Sequence, residues 1–140
     1  MIRRAEERDW SGVARLWLEA NIDAHDFIPA QYWEANFEAV KDMLPQAEVL
    51  VWEGEDGIQG FVGLNGDCIE GIFVRSGSRS GGIGRELLDR ARQGREQLAL
   101  QVYKKNARAV SFYLREGFQV QREQLDDNTG ETEYLMLWRR

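Results

Sequence analysis

A glycine-rich loop between a predicted strand and a predicted helix constrains this chain more than any other feature. The β-rich run Ile72-Phe73-Val74 is followed, after a short loop, by Arg79-Ser80-Gly81-Gly82-Ile83-Gly84 and then by apolar residues at helical spacing. A strand that turns through glycines into a helix presents backbone N–H groups at the positive end of the helix dipole. The segment therefore predicts an anion site, best suited to phosphate or pyrophosphate. The alternative is that the glycines serve only the geometry of the turn.

The type of phosphate ligand can be narrowed from the same residues. The dinucleotide-binding pattern G-x-G-x-x-G is not satisfied, because Leu87 stands where the third glycine would be. A P-loop does not fit either, since no Gly-Lys-Ser/Thr sequence follows the loop. An ordinary mononucleotide or dinucleotide site is therefore disfavoured.

The periodicity of the apolar residues indicates the order of the elements around this loop. Helical spacing after Asp9 predicts a first helix with that residue as its N-cap, and Pro29 and Pro45 bracket a second helix. From residue 47 the period becomes strand-like, and Gly54-Glu55-Asp56-Gly57 predicts a hairpin. The resulting order is β α α β β β α β α β β. It indicates an α/β (α+β) fold in which a mixed sheet carries helices on both faces.

Composition limits the class of protein. The length of 140 residues fits a single domain, placed at residues 1–140. One cysteine and one histidine exclude a disulfide framework, and we expect no metal cofactor. No apolar run approaches the ~18 residues of a membrane span, and the charged N-terminus lacks the apolar segment of a signal peptide. A cytoplasmic protein without a membrane partner is the simplest interpretation.

The charge is divided unevenly along the chain. Residues 1–70 hold 5 basic and 15 acidic residues, whereas residues 71–140 hold 13 and 9. The first half therefore suits a cationic ligand and the second an anionic one, unless these are simply solvated surface charges. The net charge of −6 argues against nucleic acid as a partner.

A second segment with potential chemistry runs from Asn106 to Phe118. Asn106 predicts the N-cap of a helix and Gly117 its C-terminal glycine. Asn106 and Tyr113 are seven residues apart, so they lie on nearly the same helix face. A tyrosine phenol can donate a proton to a thiolate leaving group. The alternative is that Tyr113 is a half-buried packing residue.

Together the two segments resemble the GNAT superfamily of acetyl-CoA-dependent N-acetyltransferases. Residues 79–84 fit its R/Q-x-x-G-x-G/A pyrophosphate loop, and residues 106–118 fit its N-x-x-A-x-x-F-Y-x-x-x-G-F segment. The resemblance extends to the element order over nearly the whole chain, and it implies a mostly antiparallel sheet of about seven strands. The run His25-Asp26-Phe27-Ile28 is similar to a small bacterial subset of that superfamily.

The resemblance implies acetyl-CoA as co-substrate and suggests which residues hold it. The backbone of Phe73 and Val74 would contact the pantetheine arm and the acetyl carbonyl. Asn106 would contact the pantetheine, and Tyr113 would lie near the sulfur as the general acid. The pantetheine itself would lie between the strand of Phe73 and that of Val102.

The resemblance also implies that the glycine-rich loop binds the pyrophosphate. One departure is Gly81, where many members of the superfamily carry Arg or Lys; Arg79 and Arg85 can supply the positive charge instead. The candidate pyrophosphate-binding residues are Arg79, Ser80, Gly81, Gly82, Ile83, Gly84 and Arg85.

The implied reaction is direct attack of a primary amine on the thioester, with backbone N–H groups stabilising the oxyanion. Because the amine arrives as an ammonium ion, a base or water must accept its proton. Two side chains are candidates: Glu70, on the strand before the loop, and His25, in the loop where this superfamily usually builds its acceptor site. Cys68 could form an acetyl-enzyme, but we expect it to be a small buried hydrophobe on a strand.

The sequence thus predicts an N-acetyltransferase, and it leaves the acceptor open. A protein lysine, a protein N-terminus and a small molecule can all supply the primary amine. An alternative from a different class is a non-catalytic acyl-CoA-binding or sensor module that keeps the loop but lacks turnover. An acetyltransferase acting on charged tRNA is disfavoured by the acidic first half. Both a monomer and a homodimer are compatible with the sequence.

Overall fold

The computed structural model describes residues 1–78 and 81–140, and their elements follow the predicted order. Arg79 and Ser80, which the loop prediction includes, lie outside the described residues. The elements are β1 (Ile2–Arg4), α1 (Trp10–Ala24), α2 (Ala30–Met43), β2 (Glu48–Gly54), β3 (Gly57–Asn65), β4 (Cys68–Val74), α3 (Ile83–Arg92), β5 (Gln97–Tyr103), α4 (Ala107–Arg115), β6 (Gln119–Asp126) and β7 (Glu131–Arg139).

The described strands form one seven-stranded sheet in the order β1-β2-β3-β4-β5-β7-β6. Every neighbouring pair is antiparallel except β4 and β5, which confirms the predicted mixed, mostly antiparallel sheet. The parallel contact consists of two residue pairs, Cys68 with Ala99 and Ile69 with Leu100. After Ile69 the pairing of β4 with β5 ends, so the sheet opens at its centre.

A β-bulge in β4 lies at the point where this opening begins. Gly63 on β3 pairs with Gly71, whereas Leu64 pairs with Ile69, so Glu70 is an extra residue on β4. A bulge bends its strand and increases the local twist. The bend therefore accounts for the divergence of β4 from β5 directly after their two shared pairs.

Helices cover both faces of the sheet and bury two apolar cores. On one face, α1 and α2 pack Val13 and Leu16 against the buried Phe61 of β3. On the other, α3 and α4 pack residues such as Leu87 and Tyr113 against β2, β3, β5 and β7. Burying each such side chain contributes about 1.5–3 kcal/mol, so both helical layers are held firmly against the sheet.

The turns and helix ends agree with most of the sequence predictions. Gly54 pairs with Gly57 across the predicted hairpin, and the backbone of Gly57 has a φ of 94°, which favours glycine. Pro29 directly precedes α2, and Pro45 lies in the 3-10 turn that follows it. In the described part of the chain, no helix is long and apolar enough to cross a membrane.

Asp9 is the N-cap residue of α1, as predicted, but its carboxylate bonds other described residues and not the N–H groups of that helix. Asp9 directly precedes the helix, but its carboxylate accepts hydrogen bonds from the Arg3 guanidinium at 2.7 and 3.1 Å. It also accepts one from the backbone N–H of Glu6 at 2.7 Å. The guanidinium lowers the pKa of Asp9. Arg3 thus takes up the carboxylate and ties β1 to the start of α1.

The prediction that the Cys68 side chain is buried is wrong. Its side chain is exposed at the start of β4. Cys68 pairs with Asn65 directly after the β3–β4 turn, at the turn end of that hairpin. Burial on β4 begins one residue later, at Ile69.

Candidate active site

A cavity of about 810 Å³ opens beside the part of β4 that has separated from β5. This volume lies within the range of small-molecule binding sites. Its walls come from the end of α1, the end of β4, the start of α3 and one side of α4. The lining residues are Ala20, Asp23, Ala24, His25, Ile72, Phe73, Val74, Ser78, Gly82, Ile83, Gly84, Arg85, Asn106, Arg108, Ala109, Ser111, Phe112, Tyr113, Arg115 and Glu116.

The start of α3 supplies backbone donors to this cavity. Gly82 is the N-cap, and its φ of 84° favours glycine. Apart from its chain neighbours, no atom of the described residues would lie within 4 Å of a Cβ on Gly82, so none of those residues fills the space beside this backbone. The first intrahelical bond runs from the Glu86 N–H to the Gly82 carbonyl at 3.0 Å. The N–H groups of Ile83, Gly84 and Arg85 therefore precede the helical ladder and are available to an anion.

A second glycine lets α3 approach its neighbours closely. A Cβ on Gly84 would lie 3.7 Å from Cζ of Phe112 and 3.8 Å from Cγ2 of Val74. The beginning of α3 thus fits between α4 and the end of β4. These three elements form one continuous wall of the cavity.

Asn106, the N-cap of α4, and Tyr113, within α4, both line that wall. The Asn106 side chain caps α4, because its Oδ1 accepts from the Ala109 N–H at 3.2 Å. Tyr113 is buried, with the edges of Phe112 and Phe118 at centroid distances of 5.2 and 5.4 Å. Burial raises the pKa of the Tyr113 phenol. The phenol is therefore protonated at neutral pH and can act as a proton donor.

His25 reaches the cavity from the opposite side and contacts Asn106. Its Nε2 lies 3.1 Å from Nδ2 of Asn106. Because Oδ1 of Asn106 already accepts from Ala109, the amide nitrogen donates to Nε2, and this assigns the ring proton to Nδ1. Burial lowers the pKa of His25 to about 4. The ring is therefore neutral at pH 7 and joins the end of α1 to the start of α4.

Aromatic rings surround His25 on three sides. Trp33 stacks on the imidazole at a centroid distance of 5.4 Å. Phe27 and Tyr103 meet it edge-on at 5.6 and 5.1 Å. This packing explains why the histidine is buried although it lies in a loop between two helices.

Outside the cavity lining, a cluster of rings and charged groups adjoins His25 through Phe27 and Tyr103. We call Phe27, Tyr103, Lys105, Asp126 and Glu131 the aromatic mouth. The Tyr103 hydroxyl donates to Oδ2 of Asp126 at 2.5 Å, and burial, together with this bond, raises the pKa of the phenol. The Lys105 Nζ lies 5.6 Å from the Phe27 ring centroid and 3.1 Å from Oε1 of Glu131.

The structure brings most of the predicted site residues together. Glu70 is exposed, and neither it nor Gly81 is among the residues that line the cavity. Among the residues that the structure describes, no group of three or more His, Cys, Asp or Glu side chains could hold a metal ion. The predicted residues on the cavity wall are Phe73, Val74, Gly82, Ile83, Gly84, Arg85, Asn106, Tyr113 and His25.

Sequence reasoning missed the polar side of α4. Arg108, Ser111 and Arg115 also line the cavity. Their spacing of three and four residues places them on one helix face, which is a signal that could have identified them. With Arg85 they add positive charge to a site whose backbone donors already favour an anion.

Comparisons with known proteins agree with this geometry. Residues 45–120 match the sequence profile of the acetyltransferase (GNAT) domain family. The chain is 34% identical over 140 residues to the peptidyl-lysine N-acetyltransferase YiaC of Escherichia coli K12, and the match covers 99% of this chain and 96% of YiaC. It is 31% identical over 128 residues to the peptidyl-lysine N-acetyltransferase YjaB of the same organism, covering 90% and 87% of the two chains.

Solved structures show the same fold. The solution structure of apo YjaB from Escherichia coli has a TM-score of 0.87 at 28% identity, and the match covers 99% of this chain and 96% of YjaB. The structure of YncA from Salmonella typhimurium with acetyl-CoA has a TM-score of 0.67 at 19% identity, covering 99% and 92%. At that identity the second likeness concerns the fold alone.

Proposed function

Because this chain belongs to the acetyltransferase (GNAT) family, we propose that it transfers the acetyl group of acetyl-CoA to the ε-amine of a lysine in a polypeptide. The transferase activity follows from the family. The lysine acceptor is supported by the names of two relatives that align with nearly the whole chain, YiaC and YjaB. We also propose that residues 1–140 act as one catalytic domain.

The observation that carries the proposal is the open backbone at Gly82. This residue has a positive φ, and among residues 1–78 and 81–140, apart from its chain neighbours, no atom lies within 4 Å of the point that a Cβ would occupy. With the three N–H groups that precede the helical ladder, it forms a cradle for a diphosphate. Phe73 and Val74 line the same cavity at the end of β4, where the peptide groups no longer pair with β5. This strand end can therefore bind the amide-rich arm of acetyl-CoA, which supplies an activated acetyl thioester when bound.

Tyr113 is the proposed general acid. It lies on the cavity wall with a phenol that burial keeps protonated, because burial raises its pKa. The thiol of CoA has a pKa of about 8.5, below that of the phenol, so Tyr113 would stabilise the departing sulfur with its O–H as the C–S bond breaks, and a proton that it gives up is replaced from solvent. Backbone N–H groups at the end of β4 are the proposed donors to the oxyanion that forms on the acetyl carbonyl.

His25 is proposed as a positioning residue and not as the base. A ring with a pKa of about 4 holds a proton weakly, and its Nε2 lone pair already accepts from Asn106. The imidazole instead fixes the orientation of the Asn106 amide and closes the acceptor side of the cavity. We do not assign Glu70 as the base, because it is exposed outside the cavity lining. Water at the cavity is the proposed proton acceptor.

The test combines binding with turnover. We expect calorimetric titration to show binding of acetyl-CoA and much weaker binding of ATP. Thiol release should then occur with a lysine peptide whose N-terminus is blocked, and Tyr113→Phe should lower the turnover number by about 10²-fold or more while leaving binding intact. Release only with a lysine-free peptide that has a free N-terminus would contradict the lysine acceptor.

The same experiment separates an enzyme from a binding module. Binding of acetyl-CoA without thiol release above that of Tyr113→Phe, for any amine, would favour the non-catalytic acyl-CoA-binding alternative. No binding at millimolar acetyl-CoA would mean that the segment around Gly82 is only a turn.

A further inference from the structure

One lysine of this chain lies in the aromatic mouth, the cluster that adjoins the cavity-lining His25. The chain contains three lysines, Lys41, Lys104 and Lys105. Lys105 directly precedes Asn106, which lines the cavity. Its Nζ is held 3.1 Å from Oε1 of Glu131 and 5.6 Å from the ring centroid of Phe27.

An aromatic ring and a carboxylate, the two groups that suit a lysyl ammonium, both contact the Lys105 side chain. An aromatic face attracts the cation through the ring quadrupole, and a carboxylate neutralises its charge. Phe27 in turn contacts His25 at 5.6 Å, and His25 lies on the cavity wall 3.1 Å from Asn106. Phe27 and His25 thus connect the ammonium of Lys105 to the cavity wall.

Lys105 can also move towards the cavity without a change in the backbone. Its side chain is 61% exposed, so little packing holds it beside Glu131. Adjacent Cα atoms are about 3.8 Å apart, and the lysine side chain reaches roughly 6 Å from its own Cα through rotatable bonds. Since Asn106 is the next residue and lines the cavity, rotation about those bonds can bring the amine towards the cavity wall.

The neighbouring Lys104 provides an internal comparison. Its Nζ bonds Oε1 of Glu123 at 2.8 Å and lies 5.9 Å from the Tyr134 ring centroid. These contacts hold it against β6 and β7, and the pKa of its ammonium is raised by Glu123. Two consecutive lysines of similar exposure therefore differ in their partners, and only Lys105 belongs to the mouth.

We propose that Lys105 is a site of self-acetylation, modified within the same molecule by the active site it borders. This inference rests on the proposed function. Once Lys105 has lost a proton to water, its amine attacks the thioester carbonyl; the C–N bond forms, the C–S bond breaks, and CoA leaves as a thiol protonated by Tyr113. The product lacks the positive charge, so the ion pair with Glu131 and the contact of a cation with Phe27 are both lost. The acetylated protein presents an unpaired carboxylate at its mouth.

The experiment follows acetyl incorporation into the full-length chain by peptide mass mapping. Wild type, Lys105→Arg, Lys104→Arg and Tyr113→Phe are incubated with isotope-labelled acetyl-CoA, and the N-blocked lysine peptide is assayed in parallel. Chemical acetylation by the thioester is measured from Tyr113→Phe. We expect Lys105 to be acetylated about tenfold faster than Lys104, with a first-order rate constant that is independent of protein concentration.

The controls distinguish a failure of self-acetylation at Lys105 from a failure of the proposed acetyltransferase function. Lys104→Arg should leave the modification at Lys105 unchanged, and Lys105→Arg should abolish the fast phase. If the peptide is acetylated but Lys105 reacts no faster than Lys104, or equally fast in Tyr113→Phe, the inference is overturned and the proposed function stands. A rate that rises with protein concentration overturns transfer within one molecule. If neither the peptide nor Lys105 reacts, both proposals fail.

Discussion

Lowering the pH from about 7 to about 5 should destabilise this fold through one side chain, His25. In the folded protein, burial lowers the pKa of its imidazole to about 4, whereas the ordinary value is 6.5. Between these two values the unfolded chain binds a proton that the folded chain does not. The stabilisation is therefore fully present above the unfolded pKa and is lost as the pH falls towards the folded one.

The size of the effect follows from the two pKa values. Each unit of difference corresponds to about 1.4 kcal/mol, and linkage over this interval removes at most about 2 kcal/mol of unfolding free energy by pH 5. Because the ring borders a cavity that water can enter, we expect roughly half of that figure or more. Protonation also replaces the acceptor at Nε2 with a donor that faces the Asn106 amide, which breaks the bond between α1 and α4.

Urea unfolding at several pH values tests this prediction. The chain has one histidine, and carboxylates titrate mostly below about pH 5, so the change in this window is specific to His25. The variant His25→Gln is the control: it keeps a hydrogen-bond acceptor for Asn106 but cannot titrate, and its stability should be nearly constant over the window. The reasoning is refuted if the histidine ring signals of the folded protein titrate near 6.5, or if His25→Gln keeps the wild-type slope.

Three further substitutions have defined outcomes. Gly82→Ala should lower the free energy of unfolding by about 1 kcal/mol because of the positive φ of Gly82, and it should weaken acetyl-CoA binding. The control is Gly94→Ala: Gly94 has a φ of 76° and open space among the described residues, but it lies outside the cavity lining. This control should lower the free energy of unfolding equally and leave calorimetric titration with acetyl-CoA unchanged. Asp9→Asn should cost about 2–4 kcal/mol in urea unfolding. The wild-type advantage should decline as the pH falls below the normal carboxyl pKa and vanish only below the lower pKa that Arg3 gives Asp9 in the folded protein. Asn106→Ala should remove the α4 cap, costing about 1 kcal/mol, and should raise the KM for acetyl-CoA; an unchanged KM would count against a contact with the pantetheine arm.

The elements and their order were readable from the sequence because their signals are local. Proline at both ends of α2, the Asn106 cap and the glycine of the β2–β3 hairpin each determine a turn or a helix end within a few residues. The two motif segments extended that reading to the family. The turn at Gly82 has a backbone conformation that glycine favours, so the sequence itself indicated this turn. The turn was therefore predictable as part of the site.

The corrections concern contacts that the spacing of residue types along the chain does not indicate. Asp9 has the residue type of a cap, but Arg3 on β1 takes its carboxylate. Glu70 fits the alternating pattern of a β-strand in the sequence. In the structure it is the extra residue of a β-bulge, which the alternating pattern does not predict. The bond between His25 and Asn106 joins residues 81 positions apart, and nothing local in either segment indicates it. The spacing of residue types along the chain does not predict which partner a side chain contacts in the folded protein.

The short seam between β4 and β5 has an energetic consequence for the whole molecule. β3 and β4 on one side, and β5 and β7 on the other, are joined by many residue pairs, whereas β4 and β5 share two. Native-state hydrogen exchange should therefore resolve two cooperative units, with a subglobal opening along the seam below the energy of global unfolding. A substrate that touches both units strengthens the coupling between them. Saturation with acetyl-CoA should then merge the two exchange classes into one, so that the ligand makes the fold more cooperative as well as more stable.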